Sequence, residues 1–317
     1  MSDLTLEYGN MLAPALGGAG LDPDRLDGEL AERFQGAREA FEERREGGEL
    51  GFLDLPYAAD TLERVEKAAD GFGQWFENVV VLGIGGSALG TRTLAEALLP
   101  PLWNEGAGED RDHFPRLYVL DNPDPRSLVA LLERVEPGRT LFNVVSKSGS
   151  TAETMAQYLV VEGWLRGELG EAEARGHLLF TTGAEGGGLQ RLADALGIPT
   201  LPIPENVGGR YSVLSPVGLF PAAAVGIDVR ALLAGAAAME ERCRASELRD
   251  NPAGLLAVLL HAADRDAGAG IHVLMPYGDR LRTLGLWFQQ LWAESLGKVT
   301  EGEGEGVHVG PTPLAAL

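Results

Sequence analysis

From about residue 79 to residue 204 the chain alternates short apolar runs with longer amphipathic ones. The runs VVVLGI, RLYVL, TLFNVVS, HLLFTT and TLPIP each suit a strand buried on both faces. Between them, SALGTRTLAEALL, PRSLVALLERVE, TAETMAQYLVVEGWLRG and LQRLADALG carry helical spacing. Strands alternating with helices of this length predict a parallel α/β sheet covered on both faces, with ligands bound beyond the carboxyl ends of its strands.

The flanks read differently. Up to about residue 78 the pattern is helical: Asp22-Pro23 suits an N-cap followed by proline at the first helical position. Leu26, Leu30, Phe34, Ala37 and Phe41 then recur at helical spacing. This segment is expected to pack on the first α/β unit rather than stand alone. Beyond Pro204 the pattern is mainly helical, with IHVLMPY as its clear strand and LRTLGLWFQQLWAESLG as the helix after it. The last stretch, EGEGEGVHVGPTPLAAL, reads as a polar glycine-rich turn and a short tail. A second α/β unit begins here without room to finish.

Composition narrows the function. Hydrophobic residues make up 45% of 317, enough for a sizeable core. The formal charge of −21, from 26 basic and 47 acidic residues, disfavours nucleic acid and anionic lipid as partners. An anionic ligand would have to be held by local donors against that field. A single cysteine, Cys243, allows no internal disulfide, and no stretch has the length and apolarity of a membrane span or signal, so a cytoplasmic location is expected. The five histidines, His113, His177, His261, His272 and His308, lack metal-ligand spacing, and no metal is expected.

Two turns at strand ends suit anion binding. GIGGSALG, Gly83 to Gly90, follows a strand and opens a helix, where free N–H groups and the dipole favour negative charge. It half-matches a dinucleotide fingerprint, with Ala88 in the third glycine's place and Asp121 as the candidate acidic partner. In NVVSKSGSTAETM five hydroxyls, those of Ser146, Ser148, Ser150, Thr151 and Thr154, surround a strand-to-helix turn that also holds Lys147. Simple capping by Ser150 or Thr151, completed by Glu153 or Thr154, is the alternative reading. One cap needs one hydroxyl rather than five, which favours a phosphate site.

Two further motifs carry candidate chemistry. In VGGRYS, Gly208 and Gly209 leave room beside Arg210, whose guanidinium can stabilise developing negative charge; a solvated loop arginine is the plain alternative. In QQLWAESLGK the apolar stripe Leu284, Trp287, Phe288 and Leu291 continues at the next step into Glu294, in the last helical turn before Gly297. Burial and the dipole's negative end are expected to raise its pKa and suit it to general-base work; a rim glutamate paired with an arginine is the alternative.

The segments VVLGIGGSALG, NVVSKSGSTAET, VGGRYSVLSPVGL and ESLGK, in this order, resemble the glucose-6-phosphate isomerase family. The resemblance implies two sugar-isomerase-type parallel-sheet α/β sandwich domains. The division would be a helical segment 1–78 packed on the first domain, a first domain 79–205, and a second, incomplete domain 206–317. It implies interconversion of glucose 6-phosphate and fructose 6-phosphate through an enediolate, without metal or organic cofactor, in a homodimer. Ser146, Lys147, Ser148 and Thr151 would bind phosphate, Gly86 and Ser87 contact the sugar, and Glu153 and Gln290 lie in the site. Gly209 and Arg210 would flank the enediolate, and Glu294 would move the proton between C2 and C1. A ring-opening histidine and a later lysine of the family are expected beyond Leu317, so this chain alone is expected to bind hexose 6-phosphate and isomerise it slowly. Use of mannose 6-phosphate as well, or a non-catalytic sugar-phosphate-binding module, are the competing readings.

Overall fold

The five apolar runs become one five-stranded sheet in the computed structural model, which describes residues 4–72, 75–183, 186–300 and 307–317. After short helical turns, among them Ala13–Leu16, come two longer helices, α1 (Glu29–Glu46) and α2 (Ala59–Phe72). Then follow β1 (Asn78–Leu82), α3 (Leu89–Leu98), β2 (Arg116–Leu120) and α4 (Pro125–Arg134). After these come β3 (Thr140–Ser146), α5 (Ala152–Leu169), β4 (Leu178–Gly183), α6 (Gly188–Leu196) and β5 (Thr200–Ile203). All neighbours pair in parallel, in the order β2-β1-β3-β4-β5.

That order has a consequence for function. The chain winds outward from β1 to β2, then starts again on the other side of β1 with β3. Such a reversal leaves a crevice at the carboxyl ends of the two central strands, where ligands of open α/β sheets bind. Leu82 of β1 pairs with Val144 of β3, so the two ends are nearly level. Both turns singled out by sequence leave from this crevice.

Side-chain alternation divides each strand between two cores. Val79, Val81, Leu141 and Val145 face one side, and Val80, Leu82, Phe142 and Val144 the other. The second side is covered by Leu128 of α4, Tyr158 and Val161 of α5 and Leu189 of α6, as the crossover pattern predicts. Phe142 and Phe180 are fully buried there, each contributing about 1.5–3 kcal/mol by transfer from water.

Past β5 a 3₁₀ turn (Gly209–Leu214) leads to α7 (Pro216–Ala224), α8 (Val229–Arg242) and α9 (Pro252–Ala267). Then come β6 (Ile271–Leu274), α10 (Arg282–Leu296), β7 (Lys298–Thr300), β8 (Val307–Val309) and β9 (Thr312–Ala315). β6 pairs in parallel with β9, and β7 antiparallel with β8. The glycine-rich turn expected at residues 301–306 lies outside the described residues.

Packing ignores two of the boundaries read from sequence. The first face of the large sheet is covered by Val65 and Ala69 of α2 together with Val217, Leu219 and Phe220 of α7, which lies beyond residue 205. With that face occupied, α1 packs elsewhere. Leu26, Leu30 and Phe34 form a separate core with Leu255 and Leu259 of α9, while Ala37 and Phe41 stay exposed. The N-terminal segment therefore straddles both halves of the chain. Spacing marks an apolar face but not which partner will cover it.

Candidate active site

Strand β3 ends at Ser146, a buried residue whose backbone carbonyl accepts from Thr182 Oγ1 at 2.7 Å. From there the hydroxyl-rich turn closes on itself. Ser146 Oγ lies 2.9 Å from Thr151 Oγ1 and accepts from the Gly149 N–H at 3.2 Å, while Ser148 Oγ accepts from both the N–H and the hydroxyl of Ser150. Gly149 has φ +64, and a Cβ there would stand 2.6 Å from the Leu189 nitrogen, so no other residue fits the turn. Thr151 occupies the N-cap position of α5, yet its side chain caps none of the first-turn amides. The plain capping reading of the hydroxyls therefore fails, and the donors at this helix start remain available to an anion. Ser148, Ser150 and Glu153 are exposed at its mouth, and behind them Thr154 Oγ1 is buried with no hydrogen-bond partner among the described residues.

Lys147 departs from its expected place. Its ammonium donates to the backbone carbonyls of Glu205, at 2.5 Å, and Val207, at 2.9 Å. Two carbonyls offer a fixed partner for a charge that would otherwise be half-solvated. The side chain thus ties the hydroxyl turn to the segment that delivers Gly208, Gly209 and Arg210, rather than pointing among the hydroxyls.

The glycine-rich turn after β1 meets that same segment. A Cβ on Gly86 would stand 2.3 Å from the carbonyl of Gly209, so the two backbones can touch only because residue 86 lacks a side chain. Ser212 Oγ joins them, donating toward the carbonyls of Gly209, at 2.7 Å, and Gly86, at 3.2 Å. Asp121, the candidate acidic partner of a dinucleotide, is instead ion-paired with Arg92 of α3. Ser87 sits half-buried at the start of the turn into α3.

Helix α10 closes the other side. Glu294 lies in its last turn, as spacing predicts, with Gln290 one turn earlier donating from Nε2 to Glu294 Oε1 at 3.0 Å. Gln290 also reaches the first turn, since a Cβ on Gly85 would stand 3.0 Å from its Nε2. Arg210 faces Glu294, with Nη1 to Oε2 at 3.9 Å, and its Nε donates to Ser295 Oγ at 2.8 Å. Its guanidinium carbon stands 4.6 Å over the Tyr211 ring, which is itself stacked on Phe52. Contrary to expectation, the Glu294 side chain is 50% exposed rather than enclosed by the apolar stripe. Leu284, Trp287, Phe288 and Leu291 are only partly buried, because the two-stranded sheet beneath α10 is too narrow to cover the helix.

Ser212, Tyr211, Ser295 and Phe52 join the site without having been singled out. The first three lie inside or next to quoted motifs, and Ser295, four residues after Leu291 and seven after Phe288, lies on the face that helical periodicity marks, where a serine by itself signals no role. Phe52 carries no signal in the sequence. Among the described residues no three His, Cys, Asp or Glu side chains cluster as a metal site would require.

Comparison with known proteins gives this geometry a context. The family model described as phosphoglucose isomerase matches residues 62–314. A glucose-6-phosphate isomerase of Carboxydothermus hydrogenoformans is 44% identical over 99% of this chain and 67% of its own length. One of Rubrobacter xylanophilus is 42% identical over 97% of this chain and 68% of its own. Among solved structures, a hypothetical protein of Thermus thermophilus superposes with TM-score 0.80 at 40% identity, over 93% of this chain and 66% of that one. A glucose-6-phosphate isomerase of Chlamydia trachomatis superposes with TM-score 0.69 at 25% identity, over 81% of this chain and 48% of that one. The chain spans about two thirds of the length of the curated relatives it matches.

Proposed function

Because the chain belongs to the phosphoglucose isomerase family, we propose that the crevice between β1 and β3 binds a hexose 6-phosphate and that the residues around it interconvert aldose and ketose. The observation that carries this reading is the convergence at the Gly83–Ser87 turn, which touches both the Gly209 backbone and Gln290, the neighbour of Glu294. In this reading a phosphate-suited turn, a guanidinium and a carboxylate share one space.

In this reading the phosphate sits among Ser146, Ser148 and Thr151 and the first amides of α5, with Lys147 contributing through its backbone and through the tie it makes to residues 205–207. Hydroxyls, amides and a helix dipole hold an anion without net charge, which suits a protein of charge −21. Gly86 and Ser87 would contact the sugar, with Glu153 and Gln290 at its edges. In the open-chain aldose the Glu294 carboxylate takes the C2 proton. The C2–H electrons form the C1–C2 double bond, and the carbonyl oxygen becomes an enediolate oxygen. Returning the proton to C1, with the hydroxyl proton passing between the two oxygens, gives the ketose. Arg210, with Gly209 beside it, opposes the charge that appears only in the intermediate and the flanking transition states.

We further read the five-stranded sheet of residues 79–205, with α2 and α7 on one face, as the first sugar-isomerase unit of the family, the region after α7 as part of the second, and the protein as a cytoplasmic homodimer without nucleic-acid or membrane partners. Among the described residues no helix is long and apolar enough to cross a membrane. The function is tested by calorimetry with glucose 6-phosphate against glucose, and by a coupled assay for glucose 6-phosphate formed from fructose 6-phosphate. Tight binding of the phosphate ester alone, with measurable turnover, is expected. Equal affinity for glucose and its 6-phosphate would refute the phosphate site.

A further inference from the structure

We propose that Ser295 is a positioning residue for the isomerisation, clamping Arg210 in register with Glu294 through a hydroxyl pair it forms with Tyr211. The proposal rests on the isomerase reading above. Arg210 and Tyr211 are adjacent in one segment, and Glu294 and Ser295 are adjacent in another, far along the chain. The two pairs meet side by side. Ser295 Oγ accepts from Arg210 Nε at 2.8 Å and lies 2.8 Å from the Tyr211 hydroxyl, while Arg210 Nη1 faces Glu294 Oε2 at 3.9 Å.

A hydroxyl oxygen has two lone pairs and one hydrogen, so Ser295 can serve both partners at once, with either hydroxyl donating in the Tyr211 pair. Fixing Nε leaves the two Nη groups of the fork to address a ligand. The guanidinium carbon is held as well, 4.6 Å from the centre of the Tyr211 ring. That ring is itself held, because Phe52 is stacked on it with centroids 4.9 Å apart and planes 15° apart. Phe52, Tyr211 and Arg210 thus form a stack whose last member is pinned by Ser295.

Such fixing matters more to catalysis than to binding. A charge that must meet an enediolate works best when it is already in place as the charge develops. An arginine on its long side chain would otherwise sample positions from which it serves an open-chain ligand uncharged at C1 and C2 no worse. A misplacement of about 1 Å can cost roughly 10²-fold in rate.

Two measurements decide it. The first follows the Arg210 Nε–H by NMR of arginine-labelled protein, the signal assigned by its loss in Arg210→Lys. It should exchange slowly with solvent in the wild type, about tenfold faster in Ser295→Ala, and slowly again in Ser295→Thr, which keeps the hydroxyl. The second compares two ligands by calorimetry: a planar hydroxamate with a terminal phosphate, resembling the enediolate, and a hexitol 6-phosphate, which is uncharged at C1 and C2. Ser295→Ala should weaken the hydroxamate by roughly 10- to 100-fold and the hexitol phosphate by less than about threefold. Tyr211→Phe, which keeps the stack, should show the same split at about three- to tenfold. Equal loss for both ligands, no loss for either, or a wild-type Nε–H that exchanges freely would overturn the proposal. Failure of the wild-type chain to bind either ligand would overturn the isomerase reading, and this proposal with it, before any variant is made.

Discussion

The chain builds two parallel sheets from similar residues and gives them opposite surroundings. Every residue of β1 and β3 is buried, whereas β6 and β9 alternate between exposed and half-exposed positions. Ile271 and Val273 of β6 are as β-branched as the valines of β1, yet they are 60% and 48% exposed. Strand propensity is thus local, but burial is supplied by whatever the topology lays over the strand. The division runs through the site. The hydroxyl turn and the Gly83–Ser87 turn stand on the fully buried central strands β1 and β3, while Glu294, Gln290 and Ser295 stand on a helix backed by the sparsely covered sheet. In the proposed function, phosphate binding and proton transfer therefore depend on regions of unequal support.

The largest effect should fall in the covered sheet. Phe142→Ala removes a fully buried ring, set edge-on to Trp164, and should cost about 3–5 kcal/mol of stability by denaturant unfolding. Val273→Ser, on the open sheet, should cost about 0.5 kcal/mol or less. A comparable loss at Val273 would mean that the two sheets are equally well supported.

Arg210→Ala bridges the two regions and should lower kcat by roughly 10²–10³-fold, or about 2.7–4 kcal/mol, with hexose 6-phosphate affinity by calorimetry little changed. Affinity falling in step with turnover would make Arg210 a ground-state contact instead. Thr151→Ala lies wholly on the covered side. It should weaken binding of the 6-phosphate by about 1.5–3 kcal/mol without affecting phosphate-free glucose. A normal titration in that variant would remove the hydroxyl turn from the site.

What could be read from sequence follows the same division. The five apolar runs matched the strands of the large sheet closely, because a strand covered on both faces must be apolar nearly throughout. The glycine and hydroxyl clusters read from sequence follow β1 and β3 directly, at the strand ends where the proposed site lies. Three features were not legible. The fate of α1 was decided by α2 and α7 occupying the face it was expected to cover. The Lys147 ammonium found carbonyls of Glu205 and Val207, partners far along the chain that no spacing reveals. Glu294 lay on the predicted apolar stripe, but a stripe records which face of a helix is apolar and not how wide a surface it meets.

The smallest effect concerns pH and belongs to the open region. Trp292 of α10 donates from Nε1 to His272 Nδ1 of β6 at 2.9 Å, which requires that nitrogen to be unprotonated. Burial holds His272 below the ordinary histidine value, with the Asp264 carboxylate opposing this only in part. The unfolded chain therefore takes up the proton at higher pH than the folded one. Stability carried by the neutral ring is present above the ordinary histidine range and is lost as pH falls through and below it. The unfolding midpoint should drop between about pH 7.5 and 5.5, and His272→Gln should flatten that part of the profile. An unchanged slope in the variant would assign the pH dependence to other groups.

In the proposed mechanism a carboxylate on the lightly supported helix transfers a proton for a ligand held on the rigid sheet. Exchange of the glucose 6-phosphate C2 proton with deuterated solvent, followed by NMR in the wild type and in Glu294→Gln, reads that step alone. The amide variant keeps an acceptor for Gln290 and the same volume, but no base. The wild type should catalyse exchange, and the variant should lose it by roughly 10²–10⁴-fold while binding the 6-phosphate as before. Exchange at the wild-type rate in a folded Glu294→Gln protein would show that Glu294 is not the base.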